Sequence, residues 1–530
     1  MIRPRTKQTS ALNREFRRVD WRFLTSAPQP QKSVCFTGGL LAKSVAGISG
    51  HTIDGHFASA DDCDLAVAVN PDRSTLQAAH AALRTGGVCY TEWTAWRKGG
   101  AQGIQDQLQK AGFSRVHLYW PYPACVRPRL WLPLFAHRAP YRYLARRVTG
   151  KLFKDDTLIS RAVQAVLPVL LHLVLRAGFL PHLSAVAYKN VPQTPDVFEF
   201  VRGEWSRLYP KSSTDQLSYI VEMGGSQSIN KIVCLVFASS NPCPQWVIKL
   251  PRMPADAQTL QQGREILKNL HLADSDKSGV IRVPRMVFAC KLNGVWMSGE
   301  EALDGIPLKK YLRPDNLRAI ALKLIDWQVA LAKQSWSGSR TVTSQQAIEL
   351  LTADLDILAG KGLQPEELAQ TRSILMKIKS DTIPLVCTHN DFIIHNMVWM
   401  TDGIGVFDWT DSDWDGLPML DLVYALSTLF FTLEGAWNVS SRLATYHRLL
   451  NPRTQFGSVF NDCLVSYAEQ LGLRLGHIAP LRLLTWILHR NFEYQNHKLE
   501  FGAQAQPGHV HQSRILSLWK AELHWQQLNN

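Results

Sequence analysis

The chain has 530 residues, too many for one ordinary hydrophobic core, and this length predicts about two or three domains. Hydrophobic residues make up 46% of the chain and charged residues 19%, which excludes an intrinsically disordered protein. The formal net charge of +14 indicates either an anionic partner or a basic solvated surface, and composition alone leaves both interpretations open.

The nine cysteines are scattered along the chain, and no two of them have the Cys-x-x-Cys spacing of a zinc site. Most of them lie in apolar segments such as residues 232–236, where a reduced thiol behaves as a small hydrophobic side chain. Because thiols of this kind are typical of a reducing compartment, we predict a cytoplasmic protein. The basic N-terminus is not followed by an apolar segment, so no secretory signal is predicted.

Residues 20–137 alternate between predicted strands and predicted helices. The strands are expected at residues 33–36, 64–69, 88–92 and 116–120, and the helices at residues 74–83 and 102–111. Such alternation is typical of a doubly wound α/β sheet. The first predicted domain therefore comprises residues 1–137.

The order of these elements resembles the second half of a class I methyltransferase fold. The resemblance rests on a strand that begins at Asp64 and on the Leu-x-x-Gly-Gly turn at residues 83–87. It implies a partial Rossmann-like domain with S-adenosylmethionine as methyl donor. The glycine-rich loop that a donor site requires is reduced to Gly38 and Gly39, and Asp54 is the nearest candidate for the ribose-binding acid. We therefore predict a degenerate domain with a structural or partner-binding role, and methyl transfer remains an alternative.

Residues 138–200 are predicted to form a helical connector that is basic in its first part and apolar afterwards. Its apolar run, residues 165–180, contains Pro168, His172 and Arg176, and it is too short and too polar for a transmembrane helix. The sequence favours a helix buried between domains, and a helix lying on a membrane surface is the alternative. We predict peripheral contact with an anionic membrane through residues 127–180, and no specific binding of nucleic acid.

From residue 201 onwards the pattern changes to successive strands separated by turns. Strands are expected at residues 219–222, 231–237 and 245–250, a helix at residues 255–272, and a hairpin at residues 287–298. Beyond residue 308 the chain is predicted to be mostly helical. The pattern therefore predicts a small sheet lobe, residues 201–305, followed by a larger helical lobe, residues 306–530.

Three oxygen-bearing side chains follow one another in the helical lobe. Asn396 stands five residues after Asp391, and Asp408 stands twelve residues after Asn396. Phosphoryl transfer needs a carboxylate to orient the attacking hydroxyl and accept its proton, and oxygen ligands to hold magnesium against the phosphates. One loop can present Asp391 and Asn396 to a single phosphate, and Asp408 adds a negative ligand from the end of a short strand. The spacing therefore predicts a site for phosphoryl transfer.

These residues resemble the signature of the aminoglycoside phosphotransferase family and its choline-kinase-like relatives. The signature is His-x-Asp-x4-Asn, then two apolar residues with Asp-Trp, and then Asp-Leu at a helix start, the last present here as Asp421-Leu422. The resemblance implies a bilobal protein-kinase-like fold with ATP as phosphate donor. It also implies that Asp391 is the catalytic base, that Asn396 and Asp408 bind Mg2+, and that Asp421 braces the loop.

The same resemblance assigns roles to residues of the sheet lobe. Lys249, on the third strand, is expected to contact the α- and β-phosphates, and Glu265 in the next helix is its expected ion-pair partner. Backbone amides near Gly225 and Ser226 are expected to meet phosphate oxygens. Residues 296–305 resemble the hinge that borders the adenine pocket.

The family pattern is broken at two positions. Asn390 stands between His389 and Asp391 where the family often has glycine, and Thr410 follows Asp-Trp where an acidic residue is common. Neither change removes a group that the chemistry needs. We interpret both as variation in substrate class.

The sequence therefore predicts an ATP- and Mg2+-dependent phosphotransferase that acts on a hydroxyl of a small molecule, such as a sugar, an amino alcohol or a glycan precursor. One alternative is a catalytically weak kinase-like scaffold that docks on a membrane or a protein partner. The other is an S-adenosylmethionine-dependent methyltransferase acting through the N-terminal domain. We expect a cytoplasmic location with membrane association, and the acceptor has no readable motif.

Overall fold

The structure is a computed structural model that describes residues 17–529, apart from the segments 58–60, 94–99, 135–136, 153–157, 178–179, 224–230, 239–240, 274–278, 337–342, 361, 380 and 502–512. The chain divides into two compact units. The sheet unit contains residues 9–257 and 287–302, and the helical unit contains residues 258–286 and 303–530.

The sheet unit is built on one large mixed sheet, which has twelve strands in the described part of the chain. In chain order the strands are β1 (Lys32–Phe36), β2 (His51–Asp54), β3 (Cys63–Val69), β4 (Leu83–Trp93), β5 (Arg115–Tyr122), β6 (Leu130–Pro133), β7 (Leu183–Tyr188), β8 (Leu217–Met223), β9 (Ile232–Ala238), β10 (Trp246–Leu250), β11 (Met286–Leu292) and β12 (Val295–Glu301). Their order across the sheet is β11-β12-β10-β9-β8-β6-β5-β7-β4-β3-β1-β2.

Six helices of the sheet unit connect these strands within the described residues. They are α1 (Gly39–Ile48), α2 (Arg73–Ala82), α3 (Gly100–Lys110), α4 (Arg138–Leu152), α5 (Leu158–Ala177) and α6 (Val197–Leu208). The segment for which the sequence predicts a connector thus contains α4, α5 and the fully buried strand β7.

The first half of the sheet is mainly parallel. Strands β2, β1, β3 and β4 are parallel neighbours, and α1 and α2 make the crossovers from β1 to β2 and from β3 to β4. β7 then lies antiparallel between β4 and β5. In β3, Leu65 and Val67 face one core and Ala66 faces the other, which explains why a parallel strand buried on both faces is apolar almost throughout.

The second half of the sheet is antiparallel and continues directly from the first. β6 pairs with β5 on one side and with β8 on the other, where Leu130 is opposite Glu222 and Trp131 is opposite Val221. β8, β9, β10 and β12 then follow as antiparallel neighbours. The strands predicted for the sheet lobe are therefore present, and they extend the sheet formed by the N-terminal residues.

A short 3-10 segment, Arg17–Leu24, is almost wholly buried in the sheet unit. Arg18 makes an ion pair with Glu92 at 2.5 Å, Asp20 makes one with Arg252 at 3.0 Å, and Trp21 stacks on a tyrosine of β4. The surplus positive charge of the sequence indicates either an anionic partner or a basic solvated surface. Neither interpretation applies to Arg18, whose charge is buried and balanced inside the fold.

The helical unit is mainly α-helical and has one continuous core. Its helices are α7 (Ala257–Ala273, which begins at the unit boundary), α8 (Leu308–Tyr311), α9 (Leu317–Ser335), α10 (Ser344–Thr352), α11 (Leu355–Ala359), α12 (Pro365–Lys379), α13 (Leu420–Leu433), α14 (Val439–Leu450), α15 (Gln455–Gln470), α16 (Ile478–Phe501) and α17 (Arg514–Asn529). Its short strands are β13 (Ile306–Pro307), β14 (Val386–Thr388), β15 (Met397–Met400), β16 (Gly403–Val406) and β17 (Asp413–Gly416).

Among the residues that the structure describes, no helix is both long enough and apolar enough to cross a lipid bilayer.

Candidate functional site

The predicted catalytic loop begins directly after β14 and is held by a buried carboxylate. Both oxygens of Asp421, in the first turn of α13, accept hydrogen bonds from backbone N–H groups, that of His389 at 2.6 Å and that of Asn390 at 2.9 Å. Burial raises the pKa of Asp421 to about 6, although these two hydrogen bonds act in the opposite direction. Asp421 therefore fixes the backbone immediately before Asp391, which is the bracing role that the sequence predicts.

His389 connects the loop to the segment that carries Asp408. Its Nδ1 accepts a hydrogen bond from the backbone N–H of Asp391 at 3.3 Å, so the ring proton is on Nε2. Nε2 then donates to the carbonyl oxygen of Phe407 at 3.0 Å. Because the ring is fully buried and both nitrogens bind backbone groups, His389 has a structural role.

Asn396 lies against Asp391. Its Nδ2 donates to the carboxylate oxygen Oδ2 of Asp391 at 2.8 Å and to the backbone oxygen of Asp391 at 2.9 Å. The amide thereby orients the carboxylate, and it directs its own oxygen Oδ1 away from that contact, as a metal ligand would require. The structure thus brings these two predicted site residues together.

Asp408 is brought to the same place by the hairpin of β15 and β16. Met397, at the start of β15, is paired with Val406, at the end of β16, and the N–H of Phe407 donates to the carbonyl of Asn396 at 3.0 Å. Asn396 and Asp408 therefore lie at the same end of the hairpin. Asp408 has left-handed backbone angles of φ 73° and ψ 59°, a conformation that Asp tolerates better than most residues.

The three side chains form one oxygen-rich site on the helical unit. All three are half-buried, and the hydroxyl of Thr410 contacts Oδ1 of Asp408 at 3.4 Å. In the part of the chain that the structure describes, no three His, Cys, Asp or Glu side chains are grouped to hold a metal ion. A magnesium ion here would therefore depend on one carboxylate, one amide oxygen and the phosphates of a nucleotide, a ligand set that suits Mg2+.

Tyr424 is a neighbour of this site that the sequence analysis did not identify. It lies on α13, and burial raises its pKa, with the negative charge of Asp391 as a further cause. Its ring stacks on His489 of α16 at 3.5 Å, and burial lowers the pKa of His489 to about 3. Tyr424 follows Asp421 by three residues, and residues with this spacing lie on the same face of a helix. This spacing could have indicated that Tyr424 lies near the site.

Lys249 lies in the sheet unit and makes a buried ion pair there. Its Nζ is 2.8 Å from both carboxylate oxygens of Glu300 on the neighbouring strand β12. Lys249 is paired with Ser298 across the strands, so Glu300 is its diagonal neighbour on the same face of the sheet. The sequence analysis did not identify Glu300, because only the strand pairing reveals that it lies beside Lys249.

Three further residues were predicted to bind the nucleotide or to orient Lys249: Glu265, Gly225 and Ser226. The side chain of Glu265, on α7, is 54% exposed and lies 3.7 Å from Arg264, so its role as partner of Lys249 stays a prediction. Gly225 and Ser226 lie outside the described residues, and their predicted contact with phosphates also stays a prediction.

Comparison with known proteins assigns an enzyme class to this part of the chain. Residues 236–449 match the model of the phosphotransferase enzyme family, APH. This segment contains Lys249 and the three side chains of the oxygen-rich site. The comparison thus identifies a phosphotransferase that acts on hydroxyl groups.

Several solved structures are also similar to the chain. A thermostable mutant of aminoglycoside phosphotransferase APH(4)-Ia is 12% identical, with 61% of this chain and 98% of that chain covered and a TM-score of 0.38. Choline kinase from Cryptosporidium parvum Iowa II is 13% identical, with 62% and 95% covered and a TM-score of 0.39. A GDP complex of an aminoglycoside 2'-phosphotransferase is 16% identical, with 62% and 97% covered and a TM-score of 0.38. No curated protein sequence matches the chain.

Proposed function

We propose that the chain transfers the γ-phosphate of ATP to a hydroxyl group of a small molecule, on a bilobal protein-kinase-like fold, with Asp391 as the base. The observation that carries this proposal is the hydrogen bond of 2.8 Å from Asn396 to the carboxylate of Asp391, at the end of the hairpin that also presents Asp408. A base and two oxygen ligands in one place are what phosphoryl transfer requires.

Asp391 acts on the acceptor. Its carboxylate accepts a hydrogen bond from the acceptor hydroxyl and takes the proton as the hydroxyl oxygen bonds to the γ-phosphorus. The bond between this phosphorus and the β–γ bridging oxygen breaks, and ADP leaves. The hydrogen bond from Asn396 Nδ2 holds one carboxylate oxygen, so the other is directed to the substrate.

Asp408 and the Oδ1 of Asn396 are the groups that would hold magnesium, together with phosphate oxygens of the nucleotide. The bound ion would neutralise charge on the β- and γ-phosphates. Thr410 supports this arrangement by donating its hydroxyl to Asp408, which restricts the carboxylate to one orientation.

Lys249 is the proposed contact for the α- and β-phosphates. Glu300 holds its ammonium group in place and balances its charge in a buried setting, with 4% and 5% of the two residues exposed. Glu265 remains the competing candidate for the partner of Lys249. The backbone amides near Gly225 and Ser226 are proposed to contact the phosphate oxygens.

The proposed acceptor is a sugar, an amino alcohol or a glycan precursor. Tyr424 supports an acceptor of this size, because its partly exposed ring near Asp391 offers an aromatic surface against which a sugar ring or a short alkyl chain can pack. His489, which is buried and stacked on the Tyr424 ring, is kept neutral by burial, so it adds no positive charge beside this surface.

The decisive experiment substitutes Asp391 and measures nucleotide binding and turnover separately. Asp391→Asn should lower ADP production with a panel of sugars and amino alcohols by about 10²–10⁴-fold, because the base is lost. The rise in melting temperature on adding Mg2+ and ATP should persist in the variant. His395 is exposed and lies in the same segment, so His395→Asn is the matched control. It should leave both ADP production and the rise in melting temperature unchanged.

Two results would argue against the proposal. Unchanged turnover in Asp391→Asn would exclude Asp391 as the catalytic base. A wild-type melting temperature that does not respond to Mg2+ and ATP would favour the alternative of a kinase-like scaffold, which needs no nucleotide.

Methyl transfer by the N-terminal residues is a second candidate, favoured by one observation. The strand order reverses at β1, with β2 on one side and β3 on the other, and Gly38 and Gly39 follow the carboxyl end of β1. Open α/β sheets bind nucleotides at such a point. A structural role of a degenerate, methyltransferase-like domain remains our preferred proposal, and titration calorimetry with S-adenosylmethionine separates the two: heat of binding would favour methyl transfer.

A further inference from the structure

The helix α5 presents an apolar stripe to solvent. In its described side chains, five aliphatic residues are about half exposed: Val166 at 54%, Val169 at 57%, Leu170 at 52%, Leu173 at 58% and Val174 at 46%. Relative to Val166 they stand at i+3, i+4, i+7 and i+8, so they lie on one face of the helix. Soluble proteins rarely expose a contiguous aliphatic face of this kind without a partner for it.

The preceding helix, α4, presents a basic stripe. Arg138, Arg142 and Arg146 are exposed and four residues apart, which places them on one face. Neither α4 nor α5 contains an aspartate or a glutamate in its sequence. The pair of helices therefore combines an aliphatic face with arginines and has no acidic side chain to repel an anionic surface.

The helix α4 is fixed to the sheet. Its Tyr141 and Leu144 are buried in the core, the ring of Tyr143 contacts that of Phe237 on β9 at 5.4 Å, and Arg147 forms an ion pair with Glu222 on β8. The helix α5 packs against α4. The helix that bears the aliphatic stripe, α5, is thus attached to the sheet through α4.

We propose that α4 and α5 dock the protein on an anionic lipid surface, with the stripe of α5 entering the boundary between headgroups and acyl chains and the arginines of α4 among the headgroups. The sequence predicts contact through residues 127–180, and the structure narrows that contact to these two faces. The interpretation of the apolar run that the sequence favours, a buried helix, disagrees with the exposure of the five aliphatic residues.

Two properties favour lipid over a protein partner or a second copy of the chain. The stripe is entirely aliphatic and offers no directional contact, which suits acyl chains. A second copy of the chain would offer the same arginines, and no acidic side chain of α4 or α5, to the arginines of α4.

The proposal is tested by sedimentation of the full chain with vesicles. Binding is expected to vesicles of phosphatidylcholine mixed with phosphatidylglycerol, to be weak with phosphatidylcholine alone, and to fall as salt is raised. Leu170→Ser with Leu173→Ser should abolish most of this binding. Each of Arg138→Gln, Arg142→Gln and Arg146→Gln should lower the partition coefficient about fivefold, which corresponds to about 1 kcal/mol.

A matched control separates lipid contact from general loss of hydrophobic surface. Leu322 and Leu350 lie on other helices, α9 and α10, and are 50% and 57% exposed, close to the 52% and 58% of the stripe leucines. Leu322→Ser with Leu350→Ser should bind vesicles like the wild type. Equal melting temperatures of the two double variants would exclude unfolding as the cause of lost binding.

Three outcomes would overturn the proposal. One is wild-type binding by the stripe variant, and another is equal binding to vesicles with and without phosphatidylglycerol. The third is a wild-type dimer, seen by light scattering without lipid, that the stripe variant abolishes while vesicles bind neither protein. Because ADP production with soluble acceptors is measured in the absence of vesicles, failure here leaves the proposed phosphoryl transfer untouched.

Discussion

Asp421 is a carboxyl group whose protonation couples the site to pH. Its pKa is raised to about 6 because burial penalises the charged form more than the two N–H groups of His389 and Asn390 favour it. A carboxyl group with a raised pKa binds its proton more tightly in the folded state than in the unfolded state. Its contribution to stability is therefore present below the unfolded pKa, near 4, and is lost as the pH rises through about 6.

The free energy of unfolding should reflect this titration. From about pH 4 to pH 7 the wild type should lose about 3 kcal/mol relative to Asp421→Asn, which cannot titrate at this position. Urea denaturation at a series of pH values measures both curves. Asp356→Asn, at an exposed surface ion pair, is the control and should follow the wild type within about 0.5 kcal/mol. Parallel curves for the wild type and Asp421→Asn would show that burial does not shift this group.

The pair of Lys249 and Glu300 can be tested against the pair predicted from sequence. Glu300→Gln removes the negative charge beside a buried ammonium group, so it should raise the KM for ATP by about tenfold or more and should also lower stability. Glu265→Gln makes the same chemical change at an exposed carboxylate and should have little effect on either quantity. Steady-state kinetics with ATP as the varied substrate measures the difference. The opposite ranking of the two variants would restore Glu265 as the partner.

At the scale of single elements, the sequence predicted the oxygen-rich site because its members are close along the chain. Asp391, Asn396 and Asp408 are joined by one loop and one hairpin, so their spacing nearly determines their geometry. The break in the family pattern at Asn390 also has a local cause. This residue has φ 63°, a left-handed conformation that glycine and asparagine adopt most readily, and its Nδ2 donates to the backbone oxygen of Asp411.

Contacts between distant segments could not be predicted in this way. Glu300 lies beside Lys249 only because β10 and β12 pair in one particular register, and no local pattern encodes that register. The buried position of Arg18 could not be predicted either, since its partner, Glu92, is far away in sequence. In both cases an ion pair buried by the tertiary fold decides the role of a charged side chain.

The strands themselves were largely predictable, whereas their assembly was not. β3, β4 and β9 appear in the sequence as apolar runs, and the structure contains them at these positions. β7 was not predicted, because it follows two helices and has no turn signal that separates it from the segment for which a connector was predicted. Its position between β4 and β5 depends on pairing across the sheet.

At the scale of the whole molecule, the continuous sheet links the N-terminal residues to the strand that carries Lys249. The link is the pairing of β6 with β8, and it is supported by side chains: the hydroxyl groups of Tyr119 and Tyr219 are 2.9 Å apart, and Trp131 is buried at the joint. A domain that ended at this joint would expose the edge of β8, with backbone groups that need partners. This sheet continuity supports a structural role for the N-terminal residues.

If the two halves of the sheet form one cooperative structure, a cavity at the joint should loosen both of them. Trp131→Ala should cost about 3–5 kcal/mol, because Trp131 is 1% exposed, and should accelerate hydrogen exchange in peptides from β4 and from β9 alike. Mass spectrometry after exchange in native buffer measures both regions in one sample. Trp336→Ala removes a tryptophan that is 49% exposed, and it should leave both regions unchanged. Acceleration confined to β4 would instead show that the strands around Lys249 are stable without the N-terminal half, and the structural role proposed for that half would be lost.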